Sequence, residues 1–564
     1  MKADLKNLQD FFDSQRTQFF IPVYQREYAW TQKQINQLLD DYEDILTGKS
    51  KSHFIGNVIY RSSTSGGVIK NELIDGQQRI TTMFLLFIAT KNVICELPGD
   101  YKQELSIIEE FISNRAFKNE MKMRLKPNNV DRETFKEIYN NEKVNYSESS
   151  LFKNYKIILN RTKKWIFDFG IAKIFDLFVN VNIVYIEIND SDDVKVQKVF
   201  ESINSTGLDL KNIDLIRNFL LMGLDEEKQE NFYVNKWINF ENTLANYLKF
   251  GLNEDDFLKM FLQVHRREFV SKSNIYTLFK EYAKEVDLNI YTIMDDLMKI
   301  ISQWNEIYLE KDEECYNYDR VWQDEPKNNQ MQSSLLILCK NAFDSGIIDQ
   351  KGWEDIKQTI SIYFMRRKIA DFDTSSITRL FTGTILNSLS KVLNSKEMTL
   401  NEFIYKHLFV DRKNSEMRAP SDEEIRDVIK HKNFYKLQIC KQVLLFLENF
   451  GVKTLIPISK FEIEHIAPQN PIENSLWLHW IGEDYQTKIN YLGNVTLVTD
   501  SMNKELSNKE WIPIEKKQGK KELFQYNKHI RLNSDISSLD IFNYDSLLER
   551  QDNLVEEIIK IFTK

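Results

Sequence analysis

The sequence predicts a helix-rich α+β protein made of several folding units. Three observations carry this prediction. At 564 residues the chain exceeds what one ordinary core organises. A hydrophobic content of 42% and an aromatic content of 12% are ample for conventional burial. Strand-like runs gather toward the two ends of the chain, while the middle carries apolar residues at helical spacing with few strand-like segments.

The first region, 1–222, mixes short strands with helices. HFIGNVIYR (53–61) has strand character, SSTSGG (62–67) supplies a turn, and VIKNELID returns as a second strand ending at Asp75. Gly76 permits a tight bend, after which QQRITTMFLLFIATKNVI continues as an apolar helix. A further strand, VNIVYIEI (181–188), precedes helical DVKVQKVFESIN, the loop NSTGLDL and the helix NIDLIRNFLLM. Region 223–419 reads as a helical domain, as in YLKFGLNEDDFLKMFLQV and WEDIKQTISIYFMRRKI. DRKNSEMRAPSD (411–422) is polar and contains a proline, which marks it as a linker. Region 420–564 then opens with the helical NFYKLQICKQVLLFLENF. FEIEHIAP follows as a strand entering an exposed loop, NYLGNVTLVT as a loop entering a strand, and YDSLLERQDNLVEEIIKIF as a closing helix.

Composition excludes several classes. No stretch reaches the roughly 18 apolar residues needed to cross a bilayer. The longest candidate, 80–94, is interrupted by Thr81, Thr82, Thr90, Lys91 and Asn92. The opening MKADLKNLQDFF lacks the apolar run of a signal peptide, so a soluble cytoplasmic protein without a membrane partner is expected. Cys95, Cys315, Cys339 and Cys440 form no CxxC pair and read as reduced, mostly buried residues. A net charge of −9 argues against non-specific coating of nucleic acid but leaves room for a DNA enzyme with local basic surface.

Near the C-terminus, Glu464-His465, Leu492-Gly493-Asn494 and Asn503 form a coherent chemical set. Phosphodiester cleavage needs a base to deprotonate water, and a neutral imidazole suits that role near pH 7. It also needs a hard cation at the phosphate, and oxygen ligands from a carboxylate and an amide suit Mg2+ or another divalent ion. His479, the rival histidine, lies in the apolar SLWLHW and reads as packing. Lys504, Lys516 and Lys517, within a basic run that continues through Lys520, Lys521, Lys528 and Arg531, suit contacts to DNA phosphates.

Two N-terminal segments carry a second set. In LIDGQQRITT (73–82), Gly76 lets the backbone approach a ligand, and the following helix offers unpaired N–H groups to a phosphate. Arg79 can fork onto phosphate oxygens, and Asp75 can hold a cation or a nucleotide hydroxyl. No GxxxxGK[ST] occurs, so a nucleotide site here is not a P-loop. FFIPVYQREYAW (19–30) centres Gln25 and Arg26 among aromatics, a composition suited to base stacking.

FEIEHIAPQNP followed by LGNVTLVTDSMNKELSNKEW resembles the HNH (ββα-metal) nuclease pattern of the C-terminal domain of GmrSD-type modification-dependent restriction enzymes. That resemblance implies a general-base role for His465, metal ligation by Asn503 and Glu464, and a catalytic-site role for Asn494 in orienting the loop or the base. Glu464 stands where many HNH nucleases have Asp, and the third letter is Asn rather than His. The N-terminal segments resemble the ParB-like domain of the same family, including its SspE-like members. There the resemblance assigns Asp75, Gly76, Gln77, Gln78 and Arg79 to a nucleotide-hydrolysing centre, with Arg124, Asp131, Arg132 and Asn204 near it. Pro22, Tyr24, Gln25, Arg26 and Trp30 are assigned to sensing modified DNA. The resemblance thus implies three parts: a ParB-like nucleotide- and DNA-sensing domain at 1–222, a helical middle at 223–419 and an HNH domain at 420–564. The expected function is a nucleoside-triphosphate-regulated endonuclease cutting or nicking foreign, modified phage DNA, with double-stranded DNA as partner and self-association left open. The alternatives are a toxin-like nuclease acting on host DNA or RNA, and a DNA-binding partner with a degenerate site. The intact Glu464, His465, Asn494 and Asn503 argue against the last.

Overall fold

A helix that is apolar on every face is stable only when protein surrounds it. The run after Gly76 is such a helix. In the computed structural model it spans Gln77–Glu96 (α1), buried almost continuously from Gln77 to Ile94. The structure describes residues 2–13, 16–65, 67–114, 117, 122–189, 199, 211–222, 224–311, 316–373, 376–394, 398–411, 415–450, 461–513 and 518–563. The chain divides into two units, Met1–Asn239 and Phe240–Lys564.

In the first unit α1 backs a six-stranded mixed sheet. Its strands are β1 (Lys2–Asn7), β2 (Thr17–Phe20), β3 (His53–Ser65), β4 (Val68–Asp75), β5 (Leu125–Lys126) and β6 (Val181–Asn189), in the order β1-β6-β3-β4-β2-β5. The β3–β4 pair is the expected antiparallel hairpin, whereas β6 runs parallel to β3 and β2 parallel to β4. The turn expected over 62–67 is shorter, because β3 keeps pairing to Ser65 opposite Val68. Ser62 Oγ donates to Asn71 Oδ1 at 2.7 Å across the hairpin. Phe12, Phe84, Phe87 and Phe178 fill the core between α1 and its neighbours, with Phe84 and Phe87 each edge-on to Phe12. Such contacts add to simple area burial. The helix expected over 193–204 and the loop after it fall almost wholly in 190–210, outside the described residues.

The second unit is helical over its first two thirds. Glu254–Arg266 (α2) starts with a capping box, Asn253 with Asp256, and Gln350–Ile369 (α3) is buried along most of its length. The stretch expected as a free linker, 411–422, is instead tied down where it is described. Arg366 on α3 donates to Pro420 O (2.9 and 2.7 Å), and Tyr363 Oη donates to Met417 O at 2.6 Å. Polar composition marked the segment as loop, but donors on buried α3 side chains hold its carbonyls. The helical region expected at 223–419 and the C-terminal region expected from 420 both contribute to this second unit, apart from residues up to 239. Ser421 caps Asp422–His431 (α4), and Cys440–Asn449 (α5) leads to the terminal hairpin. That hairpin is β7 (Phe461–His465) paired antiparallel with β8 (Val495–Thr499). Among the described residues four helices follow β8: Asp500–Leu506 (α6), Lys520–Tyr526 (α7), Arg531–Ser537 (α8) and Tyr544–Ile561 (α9). Cys339 and Cys440 are buried as expected, while Cys95 is exposed; all three are free thiols. No described helix is long and apolar enough to cross a membrane.

Candidate functional site

The C-terminal set is assembled by two strands and the helix after them. β7 and β8 pair with Glu464 opposite Thr496 and His465 opposite Val495. Thr499 ends β8 and caps α6, which carries Asn503. The Leu492-Gly493-Asn494 turn sits at the other end of β8, and each of its residues has a distinct physical task. A Cβ on Gly493 would lie 2.1 Å from Leu547 O, so only glycine lets α9 approach this closely. Asn494 is fully buried, and its side chain serves the loop after His465. Oδ1 accepts from Ala467 N at 2.8 Å, and Nδ2 donates to Ala467 O at 3.0 Å and to Ile489 O at 2.8 Å. Asn494 therefore orients the loop and makes no hydrogen bond to the His465 ring. From α9, the buried Arg550 donates to Gly493 O (2.8 Å) and Val495 O (2.9 Å), and desolvation pulls its guanidinium down to about 10.

His465 does not lie in an exposed loop. It is the last residue of β7 and only 6% exposed, because the strand extends through it and alternation turns its ring inward with Phe461. The ring stands edge-on to Tyr435 at 4.3 Å, with Nε2 3.4 Å from Asn490 Oδ1 and 3.5 Å from Gln469 Nε2. Burial pushes its pKa down to about 4, with the bond to Asn490 acting the other way, so the imidazole is neutral at pH 7.

Glu464, adjacent in a strand, points to the opposite face from His465. Its Oε1 accepts from Lys520 Nζ at 2.8 Å, and the same Nζ donates to His465 O at 2.8 Å. Asn503 Nδ2 donates to Glu462 Oε2 at 3.2 Å. Alternation places Glu462 and Glu464 on one strand face, where Glu462 meets the Asn503 amide of α6 and Glu464 meets Lys520. Hard oxygen donors of this kind fit Mg2+ chemically, with water supplying further positions. Among the described residues no three His, Cys, Asp or Glu side chains cluster as a ready-made metal cage. Glu462 and Lys520 were not singled out from the sequence. Period-two spacing from Glu464 pointed to Glu462, whereas nothing separated Lys520 from the basic run around it.

The other basic candidates divide. Lys504 is exposed and paired with Asp500 at 2.6 Å, Lys521 pairs with Asp540, and Arg531 holds Glu557. Lys516 and Lys517 lie outside the described residues. His479, expected to pack, is exposed on the helix Leu476–Ile481; Trp477 and Ile481 of that helix fill the core instead.

The family model for the GmrSD restriction endonuclease N-terminal domain matches residues 8–221, and that for the C-terminal domain matches residues 419–557. The chain belongs to the GmrSD restriction endonuclease family. It is accordingly an endonuclease of phage defence, with DNA as substrate. No curated protein matches the chain.

In the GmrSD N-terminal region the two sequence segments are bonded to each other. Gly76 takes φ 86° as the N-cap of α1, and a Cβ there would meet Asn57 O at 2.9 Å. Gln78 reaches back to the aromatic segment: Oε1 accepts from Ala29 N at 2.8 Å and Trp30 N at 3.3 Å, and Nε2 donates to Glu27 O at 3.1 Å. Gln25 Nε2 donates to Ile74 O at 3.1 Å. Tyr24 is fully buried, donating to Glu72 Oε1 at 2.9 Å, and burial holds its phenol well above the ordinary value. Pro22 is buried and Trp30 half-buried, whereas Arg26 is exposed. Arg79 stays half-exposed, donating to Asn57 O at 2.9 Å with Asp75 Oδ2 at 3.8 Å. Gln77 is 8% exposed and its Oε1 has no hydrogen-bond partner among the described residues.

Arg124 does something other than approach a nucleotide. It is 1% exposed and donates to Phe12 O (2.5 Å), Glu110 O (2.6 Å) and Thr17 O (3.3 Å), stapling three segments through their carbonyls. Asp131 accepts from Tyr28 N at 2.7 Å, and burial raises its carboxyl to about 6. Arg132 pairs with Glu230 at 3.2 Å. Asn204 lies outside the described residues.

Proposed function

We propose that this protein is a nucleotide-regulated, metal-dependent HNH-type endonuclease that cuts or nicks modified phage DNA in the cytoplasm. The observation that carries the reading is the placement of a neutral imidazole, His465, at the end of a two-strand-plus-helix unit whose other strand face carries Glu464 and Glu462, the latter bonded to Asn503. In this reading His465 takes the proton of the attacking water, which its uncharged ring can do at pH 7. Its burial means that DNA binding must open the ring to solvent. Asn494 keeps the loop after the base in register. Glu464 and Asn503 hold the divalent ion, which supplies charge stabilisation at the scissile phosphate. Lys504 is assigned to the DNA backbone, and Lys516 and Lys517 keep the same assignment from the sequence.

At the other end, the half-exposed Arg79 and Asp75 beside the start of α1 are the groups that meet a nucleoside triphosphate, with Gly76 and Gln77 lining its approach. Gln78 couples that site to the 22–30 segment, where the exposed Arg26 is the side chain available to DNA. Region 1–222 acts as sensor, 223–419 as connecting helical region and 420–564 as nuclease. The test is to incubate purified protein with Mg2+, plasmid and modified phage DNA, with and without nucleotides. Metal-dependent cleavage that responds to both modification and nucleotide supports the reading. Cleavage indifferent to nucleotide removes the regulatory half.

A further inference from the structure

Lys520 is a fully buried ammonium group. Its Nζ donates at 2.8 Å to Glu464 Oε1 and at 2.8 Å to His465 O, so one cation touches two consecutive residues of the nuclease centre. The backbone delivers it firmly. Lys520 N donates to Glu510 O at 2.8 Å, and Gly519 lets the chain pass so close that a Cβ would lie 2.5 Å from Trp511 O. Removing one partner of such a pair leaves an uncompensated buried charge, which is why an ammonium placed here is held by its contacts and not by solvent. One oxygen of Glu464 is thereby committed, leaving Oε2 for a metal ion, and a positive charge stands beside any ion that binds there.

We propose that Lys520 is the built-in counter-cation of the nuclease centre: it neutralises Glu464, repels the incoming divalent ion and so sets how much metal the enzyme requires. This rests on the reading of Glu464 as a metal ligand. The size of the effect follows from Coulomb's law. A unit positive charge in the immediate surroundings of a bound dication would lower its affinity by roughly tenfold even at the dielectric of water, and by more in a less polar setting.

The experiment measures Mn2+ affinity of the full-length protein by electron paramagnetic resonance of free Mn2+, without DNA or turnover. Lys520→Met removes the charge, Lys520→Gln removes it but keeps a donor for the two acceptors, and Lys520→Arg keeps it. Both neutral variants are expected to bind Mn2+ about tenfold more tightly than wild type, and Lys520→Arg to bind as wild type. Unchanged or weaker binding by the folded neutral variants overturns the proposal. Failure of both to fold overturns it too, since Lys520 is then a structural staple. Glu464→Gln separates the two levels. About tenfold weaker Mn2+ binding is expected, and wild-type affinity there removes Glu464 as a ligand whatever Lys520 does.

Discussion

Asn494 and Ala467 bond to each other in both directions, Ala467 N to Oδ1 at 2.8 Å and Nδ2 to Ala467 O at 3.0 Å. A side-chain amide presents a donor and an acceptor side by side, so it can satisfy a backbone acceptor and donor together. Asn494→Ala therefore strands buried main-chain groups of Ala467 and Ile489, and a loss of about 3 kcal/mol in unfolding free energy is expected. Denaturant unfolding of wild type and variant measures it.

His465→Ala removes a ring that makes only long polar contacts, so the chemistry should suffer far more than the fold. Cleavage of plasmid DNA with Mg2+ is expected to fall by about 10²–10⁴-fold. Circular dichroism should show wild-type helicity. Near-wild-type cleavage by the folded variant would take His465 out of the mechanism.

Gly493→Ala places a methyl group 2.1 Å from Leu547 O on the closing helix. Backbone cannot swing aside as a flexible side chain can, so an overpacking cost of about 3 kcal/mol or more is expected. The melting temperature should drop by several degrees, whereas Gly482→Ala, with open space around it, should be affected only through its φ of 75°.

Two arginines of the first unit should behave oppositely. Arg79→Ala is expected to leave stability within about 0.5 kcal/mol of wild type, because its side chain is half-exposed. It should nevertheless lower nucleotide hydrolysis, through loss of a charge-assisted contact worth about 1.5–3 kcal/mol. Arg124→Ala should unfold the unit at markedly lower denaturant, since the buried guanidinium that joins the carbonyls of Phe12, Thr17 and Glu110 is lost. Nucleotide turnover and urea titrations on both variants decide the assignment. A stable Arg124→Ala protein with normal folding but no hydrolysis would reverse it.

The raised carboxyl of Asp131 makes stability depend on pH. Its folded pKa of about 6 exceeds the ordinary 3.8, so between these values the folded state binds more protons than the unfolded one. Stability from this group is therefore greatest below pH 4, is lost as pH rises toward about 6, and stays at the lower level above that. The full difference is about 3 kcal/mol. Asp131→Asn keeps an acceptor for Tyr28 N without the charge, so it should flatten this slope and unfold later than wild type at pH 7. A wild-type slope between pH 4 and 6 in the variant would assign the dependence to other groups.

Periodicity and local chemistry were enough to place the β3–β4 hairpin, the Gly76 turn, the buried helix after it and the terminal pair of strands. Each element follows from the pattern of its own residues, whose geometry repeats every 2 or 3.6 residues. The motifs likewise pointed to the two halves of the family, because their spacing reflects the same local geometry. What the sequence could not determine were partnerships across long chain separations. Lys520 meets Glu464 across 56 positions, Arg124 meets Phe12 across 112, and Arg550 meets Gly493 across 57. A lysine in a basic run and an arginine in a family-like segment look no different in sequence from their exposed neighbours. Only the tertiary structure buried these two, left His479 at the surface and turned His465 inward. The reason is that the cost of desolvating a charged or polar side chain depends on which acceptors the fold brings to it.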